Sequence, residues 1–241
     1  MIAQRKLRAL ITGASSGIGR ATAVAFAKSG IDLALVGRSQ SRLADLAQDL
    51  QGLGIAVQPF RVDLAAVDQV STQICHLLEQ FGSIDILINN AGMGYTAELL
   101  DTPLTDWQAV LNLNLTSPFQ CIQAVLPQMR SQHSGTIINV ISIAGRQAFP
   151  QWGAYCASKF GLLGLTKTLA QEERPYGLRV TALCPGAVNT PLWDAATVNA
   201  DFDRTAMLSS EDVAQSILQI VQMPQHAVIE ELVLMPNAGT F

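Results

Sequence analysis

The sequence predicts an α/β fold: a doubly wound parallel sheet with helices on both faces. Three observations predict it. Short apolar runs of strand length recur along the whole 241-residue chain. They are continuous rather than alternating, as strands covered on both faces must be. Stretches with helical spacing separate them, and that alternation means βαβ units with right-handed crossovers. No repeat, low-complexity tract or Pro/Ser-rich linker interrupts the pattern, so one domain spanning 1–241 is expected.

The runs fall at 8–11, 33–36, 57–60, 84–88, 136–141, 179–183 and 231–235. After the first comes a helix over 17–29, with alanines, Val24 and Phe26 on a face and Gly30 to end it. Leucines at 43, 46 and 50 mark a second helix over 41–50. Further helices are expected over 67–81, over 105–130 as one long unit, over 152–174, and over 212–221 before the last strand. Ligands of such sheets sit beyond the carboxyl ends of the strands, so chemistry belongs just after each run.

Composition narrows the function. Apolar residues make up 49% and charged residues 14%, well under the usual ~25%, which excludes a disordered chain. Lysine and arginine number 15 against 19 acids, a net charge of −4, and a general nucleic-acid binder leans the other way. No run of 18 apolar residues offers a membrane span. The apolar stretch Ala9-Leu10-Ile11 is too short for an export signal. Cysteines 75, 121, 156 and 184 have neither CxxC nor zinc spacing. They are expected to be reduced, buried and structural, and the location cytoplasmic. His76, His133 and His226 are scattered, so no metal is expected.

After the first run stands Thr12-Gly13-Ala14-Ser15-Ser16-Gly17-Ile18-Gly19. Glycines allow a tight turn and a close backbone approach, and the following helix offers free N–H groups to a pyrophosphate. The second run ends in Val36-Gly37-Arg38-Ser39. An acid here would bind the ribose hydroxyl of NAD; Arg38, with Ser39 and Arg42 nearby, suits a 2′-phosphate. NADP(H) is therefore expected over NAD(H). Asp63-Leu64 and Asn89-Asn90-Ala91-Gly92 follow the third and fourth runs, where they suit adenine contact or turn chemistry.

Tyr155-Cys156-Ala157-Ser158-Lys159 puts Tyr155 and Lys159 on one helix face. A phenol titrates near 10, and a neighbouring ammonium is expected to lower that value, as a proton donor to a carbonyl oxygen requires. Ser142, just after the fifth run, can bond the same oxygen. Asn114 is a polar residue in an apolar helix and needs a partner.

With these residues quoted, the chain resembles the short-chain dehydrogenase/reductase family in its compact form, over nearly its whole length. TGxxxGIG, NNAG, the Asn114–Ser142–Tyr155–Lys159 set and Cys184-Pro185-Gly186-Ala187-Val188-Asn189-Thr190 occur in family order. The resemblance implies a Rossmann-type seven-stranded sheet in order 3-2-1-4-5-6-7. It implies Tyr155 as catalytic acid/base, Lys159 on the nicotinamide ribose, Ser142 orienting the substrate oxygen and Asn114 anchoring a relay water. It implies that Gly13, Ser15, Ser16, Gly17, Ile18 and Gly19 hold the pyrophosphate, with Asp63, Leu64, Asn90, Ala91 and Gly92 along the adenosine side. Pro185, Gly186, Val188 and Thr190 would hold the nicotinamide. Many NADP-using members carry Arg or Lys where this chain has Ser16, so Arg38 must carry the phosphate preference alone.

Pocket walls are expected from Met93, Tyr95, Phe149, Trp152, Leu192 and Trp193, with Arg146 as an anion clamp and a short lid over 191–208. The middle of the chain is similar to 3-oxoacyl-carrier-protein reductases. Its ending is similar to 3-hydroxy acid (serine-type) dehydrogenases and bacterial sepiapterin reductases. A small carbonyl or alcohol is the expected substrate. Arg130, Arg146 and Arg174 are the cations available to an acyl carrier protein. A homotetramer or homodimer built on the helices at 105–130 and 152–174 follows the family habit. A non-catalytic NADPH sensor or scaffold would lack Tyr155 or Lys159; an epimerase would carry a longer C-terminal region.

Overall fold

The structure is a computed structural model and describes residues 6–200 and 203–239. Residues 1–5, which include the start of the basic N-terminal segment, and two positions of the expected lid lie outside the described residues. Strands β1 (Arg8–Thr12), β2 (Asp32–Gly37), β3 (Val57–Arg61), β4 (Ile86–Asn89), β5 (Gly135–Val140), β6 (Leu178–Pro185) and β7 (Glu231–Leu234) form one sheet in the order 3-2-1-4-5-6-7. Every pairing is parallel, with registers such as Leu10↔Ala34 and Asn89↔Asn139. The expected order and fold class are those observed.

The helices are α1 (Gly17–Lys28), α2 (Gln40–Asp49), α3 (Val67–Phe81), α4 (Leu104–Leu111), α5 (Ser117–Gln132), α6 (Gly153–Glu173) and α7 (Ser210–Gln222). Period-two alternation along each strand divides the core. Ala9, Ile11, Leu33, Leu35, Ile86 and Ile88 pack with α1, α2 and α7 residues on one face. Leu10, Ala34, Val36, Leu87 and Ile137 pack with α3, α5 and α6 residues on the other. Both sides of each central strand leave water, so the sequence reads as unbroken apolar runs. Pro59 lies in β3, at the sheet's edge, where a missing N–H costs no interior ladder bond.

One expected helix differs. The run over 105–130 is α4, a π-helical turn at Asn112–Thr116, and α5. Pro118 has no N–H to give the carbonyl of Asn114, and the helix widens there instead, with the N–H of Ser117 reaching back to Asn112. One cysteine also differs. Cys121, Cys156 and Cys184 are buried, but Cys75 is exposed on α3, off the stripe of Val70, Ile74, Leu77 and Phe81 that faces the sheet. No helix among the described residues is long and apolar enough to cross a membrane.

Candidate active site

The carboxyl ends of the strands open onto a cleft of about 640 Å³. Its floor begins at the loop between β1 and α1. Gly13 has φ +65°, and a Cβ there would lie 2.9 Å from the Asn90 amide. Gly19 faces away from the cleft, where a Cβ would sit 2.3 Å from the Gly13 carbonyl. Glycine at 13 thus shapes the turn, and glycine at 19 lets the helix close on it. Asn90 staples this loop: its Nδ2 donates to the carbonyls of Thr12 (2.9 Å) and Gly13 (3.3 Å). The hydroxyl of Thr12 receives the N–H groups of Asn90 and Ala91 at 2.9 and 3.1 Å. Ser16 precedes α1 without a side-chain cap bond, and the first turn holds no acid. That helix end is ready for an anion.

Arg38, Ser39 and Arg42 line the end of the cleft after β2, and Val62 and Leu64 line the wall after β3. Asp63 does not line it; its carboxylate accepts the N–H of Ala65 at 3.0 Å and closes a local turn. Val62 takes the place expected of Asp63, because successive residues beyond the strand point to opposite sides. Ser15, Ser16, Gly17, Ile18, Asn90, Ala91, Gly92, Pro185, Gly186, Val188 and Thr190 all line the cleft, as does Gly13.

Ser142, Tyr155 and Lys159 meet at its centre. The Tyr155 hydroxyl and the Ser142 hydroxyl both face the cleft, and the Ser142 Oγ accepts the N–H of Ala144 at 3.1 Å. Lys159 Nζ donates to the carbonyl of Val140 at 3.0 Å and lies 5.6 Å from the Tyr155 ring centroid. Burial pushes the Tyr155 phenol up to about 12, against the pull of the Ser142 hydroxyl. Burial also lowers Lys159 to about 8. The expected fall in the tyrosine value is therefore reversed in the protein alone: loss of water outweighs the opposing pull of Ser142.

Asn114 is fully buried and does not line the cleft. Its Oδ1 accepts the N–H of Met93 at 2.8 Å, and its Nδ2 donates to Met93 O (2.9 Å) and Ser158 Oγ (3.1 Å). It ties the loop after β4 to α6. A second polar chain ties the sheet to α6: Asn89 donates to Asn139 at 2.9 Å, and Asn139 to Thr166 at 2.8 Å.

Met93, Phe149, Trp152, Leu192 and Trp193 form the remaining wall. Trp152 meets Tyr155 edge-on at 5.3 Å and Trp193 at 5.8 Å. Two expected wall residues are elsewhere. Tyr95 is buried under α4, where its hydroxyl donates to Asp106 at 3.0 Å. Arg146 points outward into an ion pair with Glu231. The other two expected docking cations are paired as well, Arg130 with the buried Glu173 (2.5 Å) and Arg174 with Glu230 (2.6 Å). Val140, Ile141 and Ile143 line the cleft unanticipated; their place at the end of β5 was the available signal.

Residues 7–201 match the model of the short chain dehydrogenase family. The chain belongs to that family. Among its similar members is a sepiapterin reductase from Chlorobaculum tepidum, 35% identical over 95% of this chain and 96% of the relative. A 3-oxoacyl-[acyl-carrier-protein] reductase from Thermotoga maritima is 37% identical over 87% of each chain. An alcohol dehydrogenase from Thermococcus sibiricus, solved with 5-hydroxy-NADP, superposes with a TM-score of 0.88 at 29% identity, over 97% of both chains. As a short chain dehydrogenase, the protein carries its glycine loop, its Tyr155–Ser142 pair and Lys159 on one continuous cleft.

Proposed function

We propose that this protein is an NADP(H)-dependent oxidoreductase acting between a carbonyl and a secondary alcohol, with a 3-oxoacyl or similar small carbonyl compound as substrate. The observation that carries the reading is Tyr155 beside Ser142 on the cleft wall, with Lys159 behind it. The glycine loop and the open end of α1 suit a pyrophosphate, and Arg38 suits a 2′-phosphate. The 5-hydroxy-NADP in the solved relative supports that cofactor. The nicotinamide, when bound, supplies or accepts the hydride.

The chain's own residues handle the proton. With a value near 12, Tyr155 is a neutral phenol at neutral pH and holds the proton that the carbonyl oxygen needs. Ser142 adds a second hydrogen bond to that oxygen as charge grows on it. Lys159, titrating near 8, is an ammonium at neutral pH and stabilises the phenolate that Tyr155 leaves behind. Asn114 keeps the loop after β4 and the Ser158 turn of α6 in place. We read the chain as one domain with a lid over 191–208. The bonds of Thr96 with Thr197 and Asn199, and of Thr197 with Gly94, support it by fastening that segment across the cleft.

The test is Tyr155→Phe, compared with wild type by nicotinamide absorbance on 3-oxoacyl thioesters and small ketones. Loss of the proton donor is expected to lower turnover about 100- to 10,000-fold. NADPH affinity should stay within a few-fold. Turnover near that of wild type sinks the assignment of Tyr155.

A further inference from the structure

Among the described residues, the substrate side of the cleft carries no charged side chain. Its side chains are Met93, Ile143, Phe149, Trp152, Leu192 and Trp193. Among the described residues, the charged groups lining the cleft are Arg38, Arg42 and Lys159. Arg38 and Arg42 follow β2, three strands from β5 in the sheet order. At about 4.8 Å per strand that is about 14 Å from the loop that carries Phe149 and Trp152. Lys159 is 96% buried behind Tyr155, with its ammonium on the Val140 carbonyl.

The cation nearest in sequence to this wall is already used. Arg146 follows the turn after Ser142, but it is turned away from the cleft onto Glu231 of β7. The same carboxylate holds Lys167 at 3.1 Å. Glu231 thus keeps two cations on the outer surface. The Trp193 indole N–H is also committed, donating to the Val188 carbonyl at 2.8 Å. What remains for a ligand is apolar surface and the edges and faces of indole and phenyl rings. Trp152 stands at 66° to Tyr155 and 73° to Trp193, which leaves flat walls beside the reacting position.

A carboxylate attached to the reacting carbon would lose its water against this wall and find no counter-ion, which is costly. A flat apolar group would gain burial and edge-to-face contact. Building on the oxidoreductase reading above, we infer that the substrate is an uncharged carbonyl compound with an aromatic or other flat apolar group beside the reacting carbon, and that a carboxylate at that carbon is refused.

Four ketones isolate the two features: methyl phenylglyoxylate, phenylglyoxylate, methyl pyruvate and pyruvate, each reduced with NADPH. Each ester is expected to exceed its acid in kcat/KM by about 100-fold or more, given an unpaired buried charge. Methyl phenylglyoxylate should exceed methyl pyruvate by about tenfold or more, since even one methylene in an apolar pocket is worth that much. Phe149→Arg places a cation on the wall and should cut the ester-to-acid ratio at least about tenfold. Should that variant fail to fold, Leu192→Arg makes the same test.

Acids reduced as well as their esters overturn the inference and leave the oxidoreductase reading standing. So does an ester-to-acid ratio that the new arginine does not move. Reduction of none of the four, by protein that binds NADPH and reduces a 3-oxoacyl thioester, overturns the inference alone. Absence of turnover on the thioester as well overturns the reading beneath it.

Discussion

Arg38 stands exposed at the end of β2, and among the described residues its guanidinium has no acid or carbonyl partner. Most other arginines of the chain are engaged: Arg8, Arg20, Arg130, Arg146, Arg174, Arg179 and Arg204 all hold a carboxylate, hydroxyl or carbonyl. An arginine that lines the cleft unpaired keeps its donors for a ligand, and a phosphate is the group its fork fits. Arg38→Ala is expected to lower kcat/KM with NADPH about 10- to 100-fold and with NADH less than about threefold, the range of a lost charged hydrogen bond. An unchanged preference between the two cofactors refutes the phosphate role. At this scale the sequence was a good guide where glycine geometry or a paired motif is local. Gly13, Ser142, Tyr155 and Lys159 stand where their spacing placed them. It was a poor guide where the direction of one side chain decides. Asp63, Tyr95 and Arg146 are one residue, one buried hydroxyl bond and one ion pair away from the cleft. A neighbouring helix sets the outcome for Tyr95, a carboxylate distant in sequence that for Arg146, and a local turn that for Asp63.

Among the elements, the π turn between α4 and α5 is the least regular and the most consequential. It turns Asn114 inward, where one side chain satisfies both backbone groups of Met93 and the Ser158 hydroxyl of α6. Hydrophobic periodicity reads straight through it, because Val110, Ile122 and Val125 still face the interior on either side. Pro118 was a visible signal of the break, since a proline inside a helix leaves a carbonyl unbonded, although α5 runs on through Pro127. Asn114→Ala removes all three bonds at a fully buried position. It is expected to cost about 2–4 kcal/mol in urea unfolding, and to lower turnover by loosening the loop against α6. Asn112→Ala, two residues away, loses only an exposed bond with Gln108 and should cost under about 0.5 kcal/mol. Equal losses at the two positions would show that the turn, and not the Asn114 amide, carries the effect.

For the whole molecule, low charge and the faces of α5 and α6 argue together. Only 14% of residues are charged, so a chain of this size covers itself with more apolar and neutral surface than usual. Part of that surface is ordered. Phe160, Gly164, Thr168 and Gln171 recur at helical spacing along the exposed side of α6, with Lys167, held by Glu231, as the charge among them. Phe160 is 45% exposed, and Gly164 has nothing within 4 Å of the place its Cβ would occupy. Phe119 on α5 is 39% exposed. Small and aromatic residues on a long helix face allow close approach by a second copy, and a two-fold axis would bury the same face twice. The expected outcome is a homodimer or homotetramer, seen by light scattering as a multiple of the 25.8 kDa chain. Phe160→Glu puts a charge in the middle of the stripe without touching the core, and should shift the protein to a smaller species while its unfolding midpoint, extrapolated to low concentration, stays close to wild type. A wild-type protein that scatters as a 25.8 kDa particle at micromolar concentration ends the argument. So does a variant whose mass is unchanged, because the stripe would then lie outside whatever interface holds the copies together.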